Sequence, residues 1–243
     1  MENNTLILGA MRSETELLIA SLENKKEYAV GPFAFSSGEI YGKSVIIGQC
    51  LVGTACSAAA AALGIESFSP ARVLNCGTAG GHDPLLRRGD IVLGETVINA
   101  GRYNTPHKDA GQGSDSLQWS IPKSDCFERE GHTTYHVFHA DRELLTLAEG
   151  VDNSVGRVIS GTVLSSDAWN RELDRIEQLH RVYGSSCEDM ESYSVAEICH
   201  MYSIPFLPVR MISNSELYPD EPFDLERPGY ECQKFMLELL KII

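Results

Sequence analysis

Glu14, Glu191, Asn214, Trp169 and the run Gly77-Thr78-Ala79-Gly80-Gly81 are the positions of this chain whose residue types could act on a ligand. A carboxylate can orient and deprotonate a water, so Glu14 is a candidate general base; it reads equally as a surface acid. Glu191, in Asp189-Met190-Glu191, sits where a helix is expected to begin. It is either a first-turn acid favoured by the helix dipole or an acceptor for the two hydroxyls of a sugar diol. Asn214 ends an almost wholly apolar run. Its amide either satisfies backbone groups at a turn or, as donor and acceptor at once, reads the edge of a heterocycle. Trp169 offers a flat surface for a ring or a core side chain, and Met11 and Met190 are of a type found more often in cores than in contacts. Glycines after a strand allow a tight turn, or let backbone amides of Thr78 to Gly80 approach a ligand.

Other chemistries find less support. The glycine run lacks dinucleotide-binding spacing, and no Gly-Lys-Ser/Thr follows it. His132, His136 and His139 do not have zinc-ligand spacing, so no metal is expected. Cys76 has no base indicated near it, and no nucleophile elbow occurs. No cofactor is implied.

Such residues need a scaffold, and 243 residues suffice for one sizeable core over residues 1–243 as a single domain. Hydrophobic residues make up 43% and charged residues 22%, which argues for an ordinary globule. The formal net charge of −14, from 34 acidic and 20 basic residues, argues against nucleic acid and anionic lipid as partners. Seven cysteines without tight spacing read as reduced, buried thiols. The polar, acidic start is unlike a signal peptide and no long apolar run occurs, so the cytoplasm is the expected location.

Elements follow from periodicity and punctuation. Strands are expected over Thr5–Leu8, Ser44–Cys50, Val73–Cys76, Asp90–Ile98, Gly156–Ser165 and Phe206–Ile212, with short antiparallel strands between Tyr28 and Tyr41. Helices are expected over Glu14–Glu23, Gly53–Ile65, Ala140–Gly150, Arg171–Leu179, Asp189–His200 and Tyr230–Leu240. Gly101 to His136 reads as a long, weakly structured insert that is extended only in its last residues, and Pro219, Pro222 and Pro228 keep the chain irregular near its end. Alternating strands and helices predict an α/β three-layer sandwich, with a central mixed, mostly parallel sheet flanked by helices. The polar candidates fall at strand ends, where ligands bind in such folds.

Five segments in order resemble the nucleoside phosphorylase/nucleosidase superfamily, in particular its methylthioadenosine/S-adenosylhomocysteine nucleosidase group. They are Gly9-Ala10-Met11-x-x-Glu14, Asn75 to Gly81, Ser165-Ser166-Asp167-Ala168-Trp169, Asp189-Met190-Glu191 and Val209 to Asn214. The resemblance runs nearly end to end. It implies a purine nucleoside substrate and a homodimer in which a neighbour's loop covers the 5′ end of the substrate; Gly101 to His136 is the candidate loop. It implies that Glu14 activates water, that Met190 packs on the ribose and Glu191 holds its hydroxyls, and that Thr78 and Gly80 lie beside the substrate. Trp169 would stack on the base, the Asn170 backbone would pair with its edge, and Met11 would line the pocket.

Asn214 departs from the pattern, because adenine-releasing members carry a catalytic Asp there. An amide donates a hydrogen bond but no full proton, and it avoids the repulsion of a carboxylate by O6 of a 6-oxopurine. That departure resembles the futalosine hydrolase branch, which releases hypoxanthine and dehypoxanthine futalosine on the way to menaquinone. Three alternatives stand beside it. They are a methylthioadenosine/S-adenosylhomocysteine or aminofutalosine nucleosidase, a purine nucleoside phosphorylase, and a nucleoside-binding protein without turnover.

Overall fold

A computed structural model describes residues 4–122, 126–221 and 224–243. In chain order it has strands β1 (Thr5–Gly9), β2 (Glu23–Val30), β3 (Phe33–Ile40), β4 (Lys43–Gln49), β5 (Arg72–Gly81) and β6 (Ile91–Asn99). These are followed by β7 (Cys126–Arg129), β8 (His132–Tyr135), β9 (Val137–His139), β10 (Val158–Ser165), β11 (Ser185–Asp189) and β12 (Phe206–Asn214). The helices are α1 (Glu16–Ala20), α2 (Thr54–Phe68), α3 (Arg142–Glu149), α4 (Leu173–Tyr183), α5 (Ser192–Met201) and α6 (Glu226–Leu240).

The centre of the main sheet is parallel, with β4, β1, β5 and β12 side by side, and β6, β10 and β11 form a second parallel group. Antiparallel pairs join the groups through β6 and β12 and extend the other margin through β3 and β2. The sheet is therefore mixed, with parallel pairing where it is most buried.

Apolar runs in the central strands cover both faces, as a sheet with helices on each side requires. Side chains alternate. Ile7, Val45, Ile47 and Leu74 enter one core with Leu144 of α3 and Phe235, Met236 and Leu239 of α6. Leu6, Leu8, Ile46 and Val73 enter the opposite core with Ala60, Ala61 and Ile65 of α2 and Val195 and Ala196 of α5. The alanines of α2 let it lie close to the sheet and to α5.

Four expectations are corrected. First, the helix expected over Glu14–Glu23 is a short turn at Arg12–Glu14 and then α1, and Glu23 already begins a strand. Gln233 of α6 explains the break: its carbonyl accepts from the Leu17 and Leu18 amides at 2.7 and 3.2 Å, and its amide donates to Ser13 O at 2.7 Å. Second, Gly77 to Gly81 is no turn but the continuation of β5. Third, the helix expected from Asp189 begins only at Ser192, and the preceding residues form the unanticipated strand β11. Fourth, Pro228, expected to keep the chain irregular, lies in the first turn of α6, where its missing N–H interrupts no helical hydrogen bond; the insert's last residues, expected to be extended, form the β7–β8 hairpin. Pro222 lies outside the described residues.

Strand β11 pairs with β10 on one side and, at Cys187 and Glu188, with Gly81 and Gly80 of β5 on the other. Strands β5, β12, β6, β10 and β11 thus close into a ring. Among the described residues, no helix is long and apolar enough to cross a membrane.

Candidate active site

The carboxyl ends of β1, β5, β11 and β12 surround a cavity of about 260 Å³. It is lined by Met11, Glu14, Thr78, Gly80, Trp169, Met190, Glu191 and Asn214, together with Val52, Ala168, Glu188 and Asp189. Eight of the nine residues singled out from the sequence therefore meet in one place, though they come from positions 11 to 214.

Glu14 is not a surface acid: only 3% of it is exposed. Strand β1 ends at Gly9, and the turn that follows points the carboxylate back at its own backbone. Oε2 accepts from the Ala10 and Met11 amides at 2.9 and 3.1 Å. Oε1 accepts from the amide and hydroxyl of Thr78 at 2.9 and 3.1 Å. Four donors thus hold one carboxylate in one orientation, as a base that must place a water requires.

Glu191 stands between β11 and α5. Its Oε1 accepts from the Gly53 amide at 3.0 Å. Gly53 has φ +103°, a conformation that suits glycine, and it brings the start of α2 to the cavity. Asp167 secures that start, accepting from the Thr54 amide at 2.8 Å and its hydroxyl at 2.5 Å. Burial and the neighbouring Asp189 carboxylate push Glu191 up to about 7, against the opposing pull of Arg210 and the Gly53 amide.

Beneath these acids lies Arg210, 2% exposed, in the middle of β12. It donates to Asp189 Oδ2 and Asn75 Oδ1, and to Ser192 Oγ at 3.1 Å. Asn75 in turn donates to Leu8 O at 2.9 Å. Burial works against the guanidinium charge, but Asp189, Glu191 and Glu14 outweigh it and raise the group above its ordinary value. A methyl group on Gly77 would lie 2.1 Å from Arg210 Nη1 and 3.1 Å from Glu14 Oε1. Here is the reason for the glycine: a cation and a carboxylate close over it. Asp189 also accepts from Ser192 at the start of α5, so it is a structural anchor for that helix.

At the other end of the cavity Ser213 donates to Asn214 Oδ1 at 2.8 Å, leaving the Nδ2 hydrogens to other partners. Trp169, 55% exposed, stands at the rim. Asn170 is the exception among the nine. It lines an adjoining, larger cavity, and the backbone N–H that the resemblance directs at a base edge donates to Glu188 Oε1 at 2.7 Å.

Sequence reasoning missed Arg210, Asp189, Asn75 and Glu188 as parts of the site. One signal was available: an arginine inside the apolar run Phe206 to Ile212 demands a buried anion. Cys76, which lacked an indicated base, lies buried with Sγ 3.5 Å from that of Cys232. That contact and burial raise its thiol well above the ordinary range.

The pattern that defines the Phosphorylase superfamily is matched over residues 4–243. The 5′-methylthioadenosine/S-adenosylhomocysteine nucleosidase of Actinobacillus succinogenes is 29% identical over 212 residues, covering 86% of this chain and 84% of that protein. The nucleosidase of the same name from Neisseria meningitidis, in complex with methylthio-immucillin-A, superposes with a TM-score of 0.78 at 24% identity, over 99% of this chain and 100% of that one. The native futalosine hydrolase of Helicobacter pylori superposes with a TM-score of 0.79 at 24% identity, over 99% and 98%. The two structural likenesses establish the shared fold.

Proposed function

The chain belongs to the Phosphorylase superfamily, and from that membership we propose that it hydrolyses the N-glycosidic bond of a 6-oxopurine nucleoside, with futalosine as the substrate. The observation that carries this reading is Asn214 in the same cavity as the buried carboxylate Glu14, held by backbone amides on both oxygens. A base to activate water stands in a pocket whose heterocycle-reading group is a neutral amide.

The chemistry has three demands. Positive charge grows on the sugar, negative charge grows on the departing base, and a water must attack C1′. Glu14 orients the water and takes its proton while the water oxygen bonds to C1′ and the C1′–N9 bond breaks. Ionised Glu191 accepts from the ribose hydroxyls, and both carboxylates favour positive sugar charge. Asn214 Nδ2 donates to N7 or O6 as the base leaves with the bonding electrons. Met190 packs against the ribose and Trp169 against the base. The insert from Gly101 to His136 covers the 5′ end in a homodimer.

The curated relatives named as methylthioadenosine/S-adenosylhomocysteine nucleosidases support a second reading, in which adenine is the base released. One assay separates the readings: chromatography of the free base after incubation of the purified protein with a nucleoside panel, with and without phosphate. Hypoxanthine from futalosine, without phosphate, is expected. Adenine alone would select the second reading, and strict dependence on phosphate would make the protein a phosphorylase. An N214D variant is expected to shift preference toward 6-amino substrates.

A further inference from the structure

Glu188 has no part in the mechanism above, yet it is a buried carboxylate on the wall of the cavity. It lies in β11 directly opposite Gly80 of β5. A methyl group on Gly80 would sit 3.7 Å from Glu188 Cγ and 3.8 Å from Asn214 Nδ2. The Glu188 side chain and the Asn214 amide therefore flank the same glycine, which adds no side chain between them.

The surroundings of Glu188 consist of nitrogens. Its Oε1 accepts from the Asn170 backbone N–H at 2.7 Å, and its Oε2 accepts from the Asn170 side-chain amide. His82 Nε2 lies 3.4 Å from Oε2, with no well-directed hydrogen bond between them. The other nitrogen of His82 is accounted for. The Ser185 hydroxyl lies 2.9 Å from His82 Nδ1, in hydrogen-bond contact, and 3.2 Å from Cys187 O. These contacts fix the carboxylate in place and leave it lone pairs to offer.

We propose that Glu188 is a specificity-determining residue that accepts a hydrogen bond from N1–H of the purine, so that with Asn214 it selects 6-oxopurines over 6-aminopurines. The inference rests on the reading of this cavity as a 6-oxopurine nucleoside site. Its physical content is a change of sign. The Asn170 N–H alone would present a donor, which suits the lone pair on N1 of adenine. Covered by Glu188, that wall presents an acceptor. Hypoxanthine carries N1–H and O6, a donor beside an acceptor, and meets Glu188 and the Nδ2 hydrogens of Asn214 in matching order. Adenine carries the reverse pattern and would set its N1 lone pair against a carboxylate and its amino group against an amide donor. A site that pairs polar groups in this way rejects the mismatched base by leaving buried groups unpaired.

The test is calorimetric titration of the protein and of the E188Q variant with free hypoxanthine and free adenine. A third ligand, 1-methylhypoxanthine, keeps O6 but lacks N1–H. The unaltered protein is expected to bind 1-methylhypoxanthine at least about tenfold more weakly than hypoxanthine, and this arm needs no variant. Replacing the carboxylate by an amide supplies a donor, so E188Q is expected to lower the hypoxanthine-to-adenine affinity ratio by at least about tenfold. Retention of that ratio in a folded E188Q, or 1-methylhypoxanthine binding as tightly as hypoxanthine, would overturn the role of Glu188 while leaving the hydrolase reading intact. A preference of the unaltered protein for adenine would overturn the 6-oxopurine reading itself, and this inference with it.

Discussion

An isosteric change at Asp189 separates charge from shape at the base of the site. The Asp189 and Arg210 side chains are 1% and 2% exposed, so neither ion reaches water. In D189N the amide oxygen can still accept a hydrogen bond, but the guanidinium loses its counter-charge. Breaking a buried pair from one side costs about 3–5 kcal/mol. Two features place the loss at the lower end: Glu191 and Glu14 also favour the Arg210 charge, and removing Asp189 relieves its repulsion of Glu191. A loss of about 3 kcal/mol corresponds to a fall in melting temperature of roughly 6–12 °C for a chain of this size. The same substitution has a second readout. Asp189 is one of the causes that raise Glu191, so D189N moves the Glu191 titration below about 7. Urea denaturation measures the first effect and the pH dependence of kcat/KM the second. The double variant D189L/R210M removes both ions and is expected to recover part of the stability. A D189N protein as stable as the parent, with an unmoved pH profile, would refute the account of Asp189 and Arg210 as a mutually dependent pair.

Further expectations follow from the same geometry. E14Q keeps the side-chain shape but turns one oxygen, which accepts two hydrogen bonds, into a donor, and it cannot take the proton of water, so kcat in the base-release assay falls by at least roughly 10²–10⁴ with the fold retained by circular dichroism. In its proposed role Glu191 would accept ribose hydroxyls best when ionised, so kcat/KM of the unaltered protein is expected to rise with pH through about 7, and E191Q to abolish that rise. The stability sign is opposite. A carboxyl group raised on folding contributes stability below its unfolded value near 4.5 and loses it as pH climbs through about 7, which denaturation curves at pH 5 and pH 8 would reveal against E191Q. G77A forces a methyl group against Arg210 and Glu14 and is expected to cost about 1–3 kcal/mol, read from the urea midpoint, along with most of the activity.

The sequence made the central strands legible because their apolar runs are long and bounded by punctuation, as at Val73 to Cys76 and Phe206 to Ile212. It concealed β11, because Ser-Ser-Cys-Glu-Asp looks like a loop. Those polar residues are buried only because their partners, among them Arg210, Asn170 and His82, lie 18 to 106 positions away in sequence, and no local pattern announces a long-range pair. The glycine run misled in a related way. Its small residues answer to side chains crossing over an extended strand, not to a reversal of direction. Glu14, Thr78, Glu191 and Asn214 were legible as polar candidates that meet in one cavity, whereas Glu188 was not, since its place on that wall depends on the register between β11 and β5.

The doubly paired β11 has a thermodynamic consequence. At Glu188 the backbone is hydrogen-bonded to a neighbour on each edge, so the cost of ordering this segment is met when the chain folds. A ligand arriving at the Glu188 wall finds acceptors already aimed, and its encounter need not be followed by a slow closing of that side. Adaptation of the protein to a new heterocycle would therefore come from exchanging side chains on a stiff frame, with little shift in the frame itself.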